Sequence, residues 1–286
     1  MLIPPYALTL PKIRDTSVVF ASPHSGRRYP LAFVKGSLLD ERTIRSSEDA
    51  FVDQLYAAAP DHGAPLLAAT TPRAYVDLNR GAEELDPAVI NGLRRVDHNP
   101  RVASGLGVIP RVVAGGRAIY RGKMSLGDAQ TRLADHWRPY HAALQSLLQD
   151  STDAFGEAIL IDCHSMPHEA VTSLSKGWAQ SPEVVLGDRF GASASSEVVS
   201  HVEEAFKRAG FRTSRNTPFA GAYMAQHYGR PSRNQHVVQV EIDRALYMNE
   251  RLIRPNRDFH EIQQRLAMVI KEIAAFGQQD RALAAE

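Results

Sequence analysis

The sequence predicts an α/β fold: a mixed, mostly parallel sheet flanked by helices. Three observations carry that expectation. Apolar runs at residues 18–21 and 158–161, and short β-type stretches at 183–186 and 236–242, read as strands. Segments 125–149, 193–209 and 258–276 carry apolar residues at helical spacing. The two kinds of segment alternate, as they do where helices cover the faces of a sheet. There is no internal repeat, low-complexity tract or convincing linker, so the 286 residues are expected to form one domain over 1–286.

Residues 1–14 hold three prolines (Pro4, Pro5, Pro11) and read as an extended arm. The first strand, 18–21, is broken by Ser22-Pro23-His24-Ser25-Gly26. Ser46 or Ser47 then caps an expected helix reaching about Pro60, with Asp49 placed for a capping box with Ser46. Segments 66–69 and 74–78 read as short strands, the second leading into Asn79-Arg80. Residues 81–107 are polar and rich in turn formers, the pattern of a long loop near a site. Segments 108–113 and 118–120 flank Ala114-Gly115-Gly116-Arg117 and predict a hairpin. In 125–149 the apolar stripe is Leu133, Trp137, Tyr140, Leu144 and Leu148, and Pro139 predicts a bend or break.

The most informative strand follows. Residues 158–161 are apolar, then Asp162, Cys163, His164 and Ser165 appear at once and Pro167 ends the run. A buried strand that delivers polar groups to the end of a sheet has this pattern. A strand at 183–186 and a helix at 193–209, with Gly210 as terminator, come next. Residues 212–235 read as loop. The strand 236–242 places Val238, Val240 and Ile242 on one face and Gln239 and Glu241 on the other. The last helix, 258–276, has a capping-box pair in Asp258 and Glu261 and ends at Gly277.

Composition narrows the function. Lys plus Arg number 33 against 32 for Asp plus Glu, so no strong pull toward nucleic acid or acidic membranes is expected. No apolar run approaches spanning length, and the first fifteen residues lack the basic start and apolar core of a signal peptide. Cys163 is the sole cysteine, which excludes an internal disulfide and fits a reducing compartment. These features predict a soluble, cytoplasmic protein with neither a nucleic-acid nor a membrane partner.

His24 and His164 both sit where a buried strand hands over to a loop, which is where sites form in open α/β sheets. Zinc takes two imidazoles and a carboxylate and leaves a position for water. Glu48 and Asp49 are the acids at hand, although acids in a first helical turn also have a plain electrostatic role. Arg73, Asn79, Arg80 and Arg121 are candidates for holding an anionic substrate, against the alternative of ordinary ion pairs. Glu241, in a strongly apolar strand, is a candidate general base. Cys163 points away from His164 on a strand, so a thiol–imidazole pair is not expected. No G-x-S-x-G elbow, P-loop or dinucleotide fingerprint is present.

The ordered series PHSG (23–26), SEDAFVDQLY (47–56), DLNR (77–80), YRG (120–122), DCHSMP (162–167), GDRFG (187–191), NTPFAG (216–221) and VEI (240–242) resembles the N-formylglutamate amidohydrolase family. The resemblance implies a phosphorylase/hydrolase-like domain akin to zinc carboxypeptidases and aspartoacylase-like deacylases, with one catalytic Zn2+ per chain. It makes His24 and His164 zinc ligands. Arg27 stands where those relatives place a glutamate ligand, so the acid comes from Glu48 or Asp49, with Asp49 nearer the family's pattern. The resemblance makes Asn79 and Arg80 carboxylate binders, Arg73 a polariser of the scissile carbonyl and Glu241 the general base. With the site residues it implies a small anionic acyl amino acid as substrate. The implied reaction converts N-formyl-L-glutamate and water to formate and L-glutamate, in histidine degradation. The rivals are a related deacylase or carboxypeptidase with another substrate, and a non-catalytic zinc or carboxylate binder.

Overall fold

The computed structural model describes residues 4–93, 99–172 and 181–278. Seven strands form one sheet: β1 (Tyr6–Thr9), β2 (Val18–Ser22), β3 (Leu66–Ala69), β4 (Ala158–Met166), β5 (Val184–Gly187), β6 (Thr213–Arg215) and β7 (Gln235–Asp243). Their spatial order is β1-β3-β2-β4-β7-β5-β6. The pairs β2–β4, β4–β7 and β5–β6 are parallel, and β5 runs antiparallel to β7. The mixed, mostly parallel sheet of the sequence reading is therefore present. β4 lies in the middle, and all nine of its residues are buried. A central strand covered on both faces reads as a near-continuous apolar run, and residues 158–161 do so. The 1–14 arm contributes the edge strand β1.

By its internal contacts the chain divides into two compact units. The first comprises Met1–Ala7, Pro23–Ala50 and Ala68–Ala143. Its core gathers Phe33, Ile44, Ala74, Val113 and Ile119, with Tyr29, Leu39, Tyr75 and Tyr120 packed around them. The Arg132 guanidinium lies 4.0 Å from the Tyr75 ring centre and donates to Tyr120 Oη at 2.8 Å, so this cation is held over aromatic faces. The expected strand at 74–78 is absent. The Pro72 carbonyl accepts from the amides of Tyr75 (2.9 Å) and Val76 (3.2 Å), which curls the chain into a turn. The segment after it is held by single bonds: the Asp77 amide to Val108 O, His141 Nε2 with Leu78 O, and Trp137 Nε1 to Arg80 O. The hairpin appears in shortened form, as Val112–Val113 paired with Arg117–Ala118.

The helix expected over 46–60 is broken. The Asp49 amide donates to His24 O at 3.0 Å, outside any helical ladder, and Phe51 takes a left-handed φ of 69°. Only Val52–Leu55 is α-helical, followed by a 3₁₀ turn at Ala59–His62. The helix expected over 125–149 is interrupted as Pro139 foretold. Leu126–Arg132 is α-helical, Leu133–Trp137 widens into a π turn, and α1 (Arg138–Phe155) continues. The wider turn sits just ahead of the proline, which has no N–H to donate.

The second unit comprises Leu8–Ser22, Phe51–Leu67 and Leu144–Glu286. It contains β2, β4–β7 and two long helices, α2 (Ser196–Arg208) and α3 (Phe259–Phe276), which pack together. Ser195 caps α2 by accepting from the Val198 amide. The expected cap at Asp258 does not form: its backbone is already helical and its side chain makes no cap bond. Residues 212–235 hold, besides loop, β6 and the helix Tyr223–Tyr228. No helix among the described residues is long and apolar enough to cross a membrane.

Candidate functional site

In the first unit the chain leaves β2 and turns at Pro23, carrying His24 into a buried setting (2% exposed). Gly26 allows this turn: a Cβ there would lie 1.9 Å from Thr71 O, which is backbone and cannot yield. His24 Nε2 lies 2.7 Å from Asp77 Oδ1, and His24 Nδ1 lies 3.5 Å from Asp49 Oδ2. Asp77 also accepts from Arg73 Nε at 3.0 Å and from the Asn79 amide at 2.9 Å. Burial works to raise the Asp77 carboxyl, but His24, Arg73 and Arg80 outweigh it and hold it well below its ordinary value. Asp77 thus fixes the imidazole and gathers the arginines.

Asn79 and Arg80 are buried beside it. The Arg80 guanidinium donates to Leu106 O (2.9 Å) and Asn79 O (2.7 Å), and burial lowers its pKa. Arg73 is about three-quarters buried, with 24% of its side chain exposed. Arg121 is exposed. Glu48 and Asp49 part company: Arg45 grips Glu48 through two parallel bonds of 2.9 and 3.0 Å, whereas Asp49 faces His24. Burial first, and then Glu48, raise the Tyr29 hydroxyl far above its ordinary range.

In the second unit the register of β4 against β7 sets Asp162 beside Gln239 and His164 beside Glu241. Residues two apart on a strand share a face, so these four polar side chains lie on one face of the sheet. All four are buried. Asp162 Oδ1 lies 2.9 Å from His164 Nε2, and Gln239 Nε2 donates to Glu241 Oε1 at 2.9 Å. Cys163 projects to the opposite face. Burial raises its thiol well above the ordinary value, and Tyr56 lies against it. Arg244, also buried, donates to Ser165 Oγ and O.

His24 and Asp49 of the first unit offer an imidazole and a carboxylate, and His164 of the second offers another imidazole, a group that could hold a metal ion. Two imidazoles and a carboxylate form a donor set that suits a zinc-type cation. Each imidazole has its Nε2 on a second carboxylate, Asp77 or Asp162, and this outer bond is the usual way a metal-bound histidine is oriented. The residues therefore fit the group they would hold. Asp77 and Gln239 lay outside the residues chosen from the sequence. The DLNR motif contained one, and the strand alternation around Glu241 contained the other.

A mixed α/β sheet with buried imidazoles and carboxylates at its strand ends has the plan of an α/β hydrolase-type enzyme, and a possible metal-binding group lies among those residues. Comparison with known proteins sharpens this. The family model described as N-formylglutamate amidohydrolase matches residues 16–248, and the chain belongs to that family. An N-formylglutamate deformylase of Pseudomonas aeruginosa is 31% identical over 82% of both chains. One of Pseudomonas putida is 28% identical over 90% of both. Among solved structures, the N-formylglutamate amidohydrolase from Ralstonia eutropha JMP134 matches with a TM-score of 0.90 and 34% identity, over 97% of this chain and 99% of that one. A gene product of Agrobacterium tumefaciens, 13% identical, shares the fold with a TM-score of 0.66.

Proposed function

We propose that this protein hydrolyses N-formyl-L-glutamate to formate and L-glutamate, with one divalent zinc-type ion held by His24, Asp49 and His164. The buried His24–Asp49–His164 donor group, in a chain of this family, carries the reading. The relatives named N-formylglutamate deformylase support the substrate. Asp49 is the assigned acid because Glu48 is already committed to Arg45.

When bound, such an ion supplies Lewis-acid polarisation and lowers the pKa of water. Glu241 takes the proton from the attacking water and returns it to the leaving amine. Arg73 stabilises negative charge as it develops on the formyl oxygen. Asn79, Arg80 and Arg121 hold the two substrate carboxylates. Asp77 and Asp162 keep His24 and His164 in one tautomer and orientation. Cys163 takes no part, and a sole cysteine, which forms no internal disulfide, fits a reducing compartment such as the cytoplasm.

A panel of N-formyl, N-acetyl and N-succinyl amino acids tests the assignment, with formate or acid release as the readout. N-formyl-L-glutamate is expected to be turned over fastest. Absence of its turnover would overturn the substrate, and a faster N-acetyl or N-succinyl substrate would favour a different deacylase.

A further inference from the structure

We infer that Gln239 is a positioning residue for Glu241, locked in place by the segments 187–191 and 216–222; this rests on the reading of Glu241 as the general base. Gln239 is buried (4% exposed), and both ends of its amide are used. Nε2 donates to Glu241 Oε1 at 2.9 Å, and Oε1 accepts from the Ala222 amide at 2.9 Å. The Ala222 N–H can only donate, so the amide oxygen must face it and the NH2 group must face Glu241. Reversing the amide would set N–H against N–H and oxygen against carboxylate. One fixed backbone amide therefore dictates which group meets the carboxylate.

That backbone amide is itself held. Gly187 pairs with Gln239 across β5 and β7. A Cβ on Gly187 would lie 2.7 Å from Ala220 C and Gly221 N, so the loop lies directly on the strand. Gly221 has a φ of +111°, which disfavours any side chain. The Arg189 amide donates to Ala220 O at 2.7 Å. Asn216 ties the two segments through Nδ2 to Asp188 Oδ1 (2.6 Å), and through Oδ1, which accepts from the amides of Asp188 and Phe190. Arg189 and Phe190 take left-handed φ values of 53° and 57° to present those groups. Phe219 packs on Met166, Val171 and Val185, and Val185 is the register neighbour of Glu241. The motifs GDRFG and NTPFAG, for which the proposed chemistry has no direct use, thereby become the anchor of one carboxylate.

Two substitutions separate positioning from packing. Gln239→Glu keeps an acceptor for Ala222 but removes the donor to Glu241, and Gln239→Met removes both at similar volume. With N-formyl-L-glutamate as substrate, each is expected to lower kcat about 10–100-fold with KM little changed. Gln239→Glu sets a second buried carboxylate against Glu241 and is expected to fold but melt below the wild type, with Gln239→Met as the uncharged control. Glu241→Gln, run in the same assay, is expected to abolish turnover. A folded Gln239→Glu variant with wild-type kcat, or one altered only in KM, would overturn the assignment while Glu241 stands. Retained turnover in Glu241→Gln would remove the base, and the positioning role with it. Failure of both Gln239 variants to fold would make Gln239 a structural residue and overturn the assignment as well.

Discussion

His24 Nε2 lies 2.7 Å from Asp77 Oδ1, although 53 residues separate them in sequence. The same carboxylate accepts from Arg73 and from the Asn79 amide. One buried acid thus links a proposed metal ligand to the residues proposed to bind substrate.

Asp77→Asn is expected to weaken zinc affinity by about 10–100-fold, measured by competition with a chelating dye. A stability effect with a defined sign accompanies it. The folded carboxyl titrates below its ordinary value of 3.8, so its stabilising contribution is complete above that value and is lost as pH falls through the lower folded value. Urea midpoints of wild type and variant should differ at pH 7 and draw together as pH falls from 3.8 through the lower folded value.

Arg73→Gln is expected to lower kcat roughly 100-fold, the usual cost of one lost donor to a developing oxyanion. KM for N-formyl-L-glutamate should change far less. A variant with normal kcat and raised KM would move Arg73 from the reacting carbonyl to ground-state binding.

Gly26→Ala forces a methyl against the Thr71 carbonyl, where only 1.9 Å is available. The strain should cost roughly 1–3 kcal/mol or more, seen as a lower urea midpoint. Zinc content should fall with it, because His24 lies two residues away.

Cys163→Ala is expected to retain turnover. The thiol is fully buried on the face of β4 opposite His164, and burial keeps it protonated. The measurement is kcat/KM of the variant. A large loss would return Cys163 to the reaction.

The centre of the sheet was legible because β4 opens as an apolar run that ends in polar groups, and because β7 alternates Val238, Val240 and Ile242 with Gln239 and Glu241. The different surroundings of Glu48 and Asp49 were not, because the fork of hydrogen bonds from Arg45 to Glu48 and the approach of Asp49 to His24 depend on how the chain folds there. The strand expected at 74–78 failed for a similar reason: the Pro72 carbonyl captures two amides and turns the chain. The broken helix after Ser46 reflects an amide of Asp49 drawn to His24 O, a long-range contact that overrides local capping chemistry. Gln239 was visible as the same-face neighbour of Glu241, but its bond to Ala222 depends on how loop 216–222 lies on Gly187.

Formate release from N-formyl-L-glutamate by protein stripped with a chelator, then supplied with one equivalent of zinc, tests metal-assisted deformylation most directly. Turnover is expected to vanish on stripping and return with zinc, while His164→Ala neither retains the metal nor recovers. Undiminished turnover by the stripped protein would contradict the proposed role of His24, Asp49 and His164.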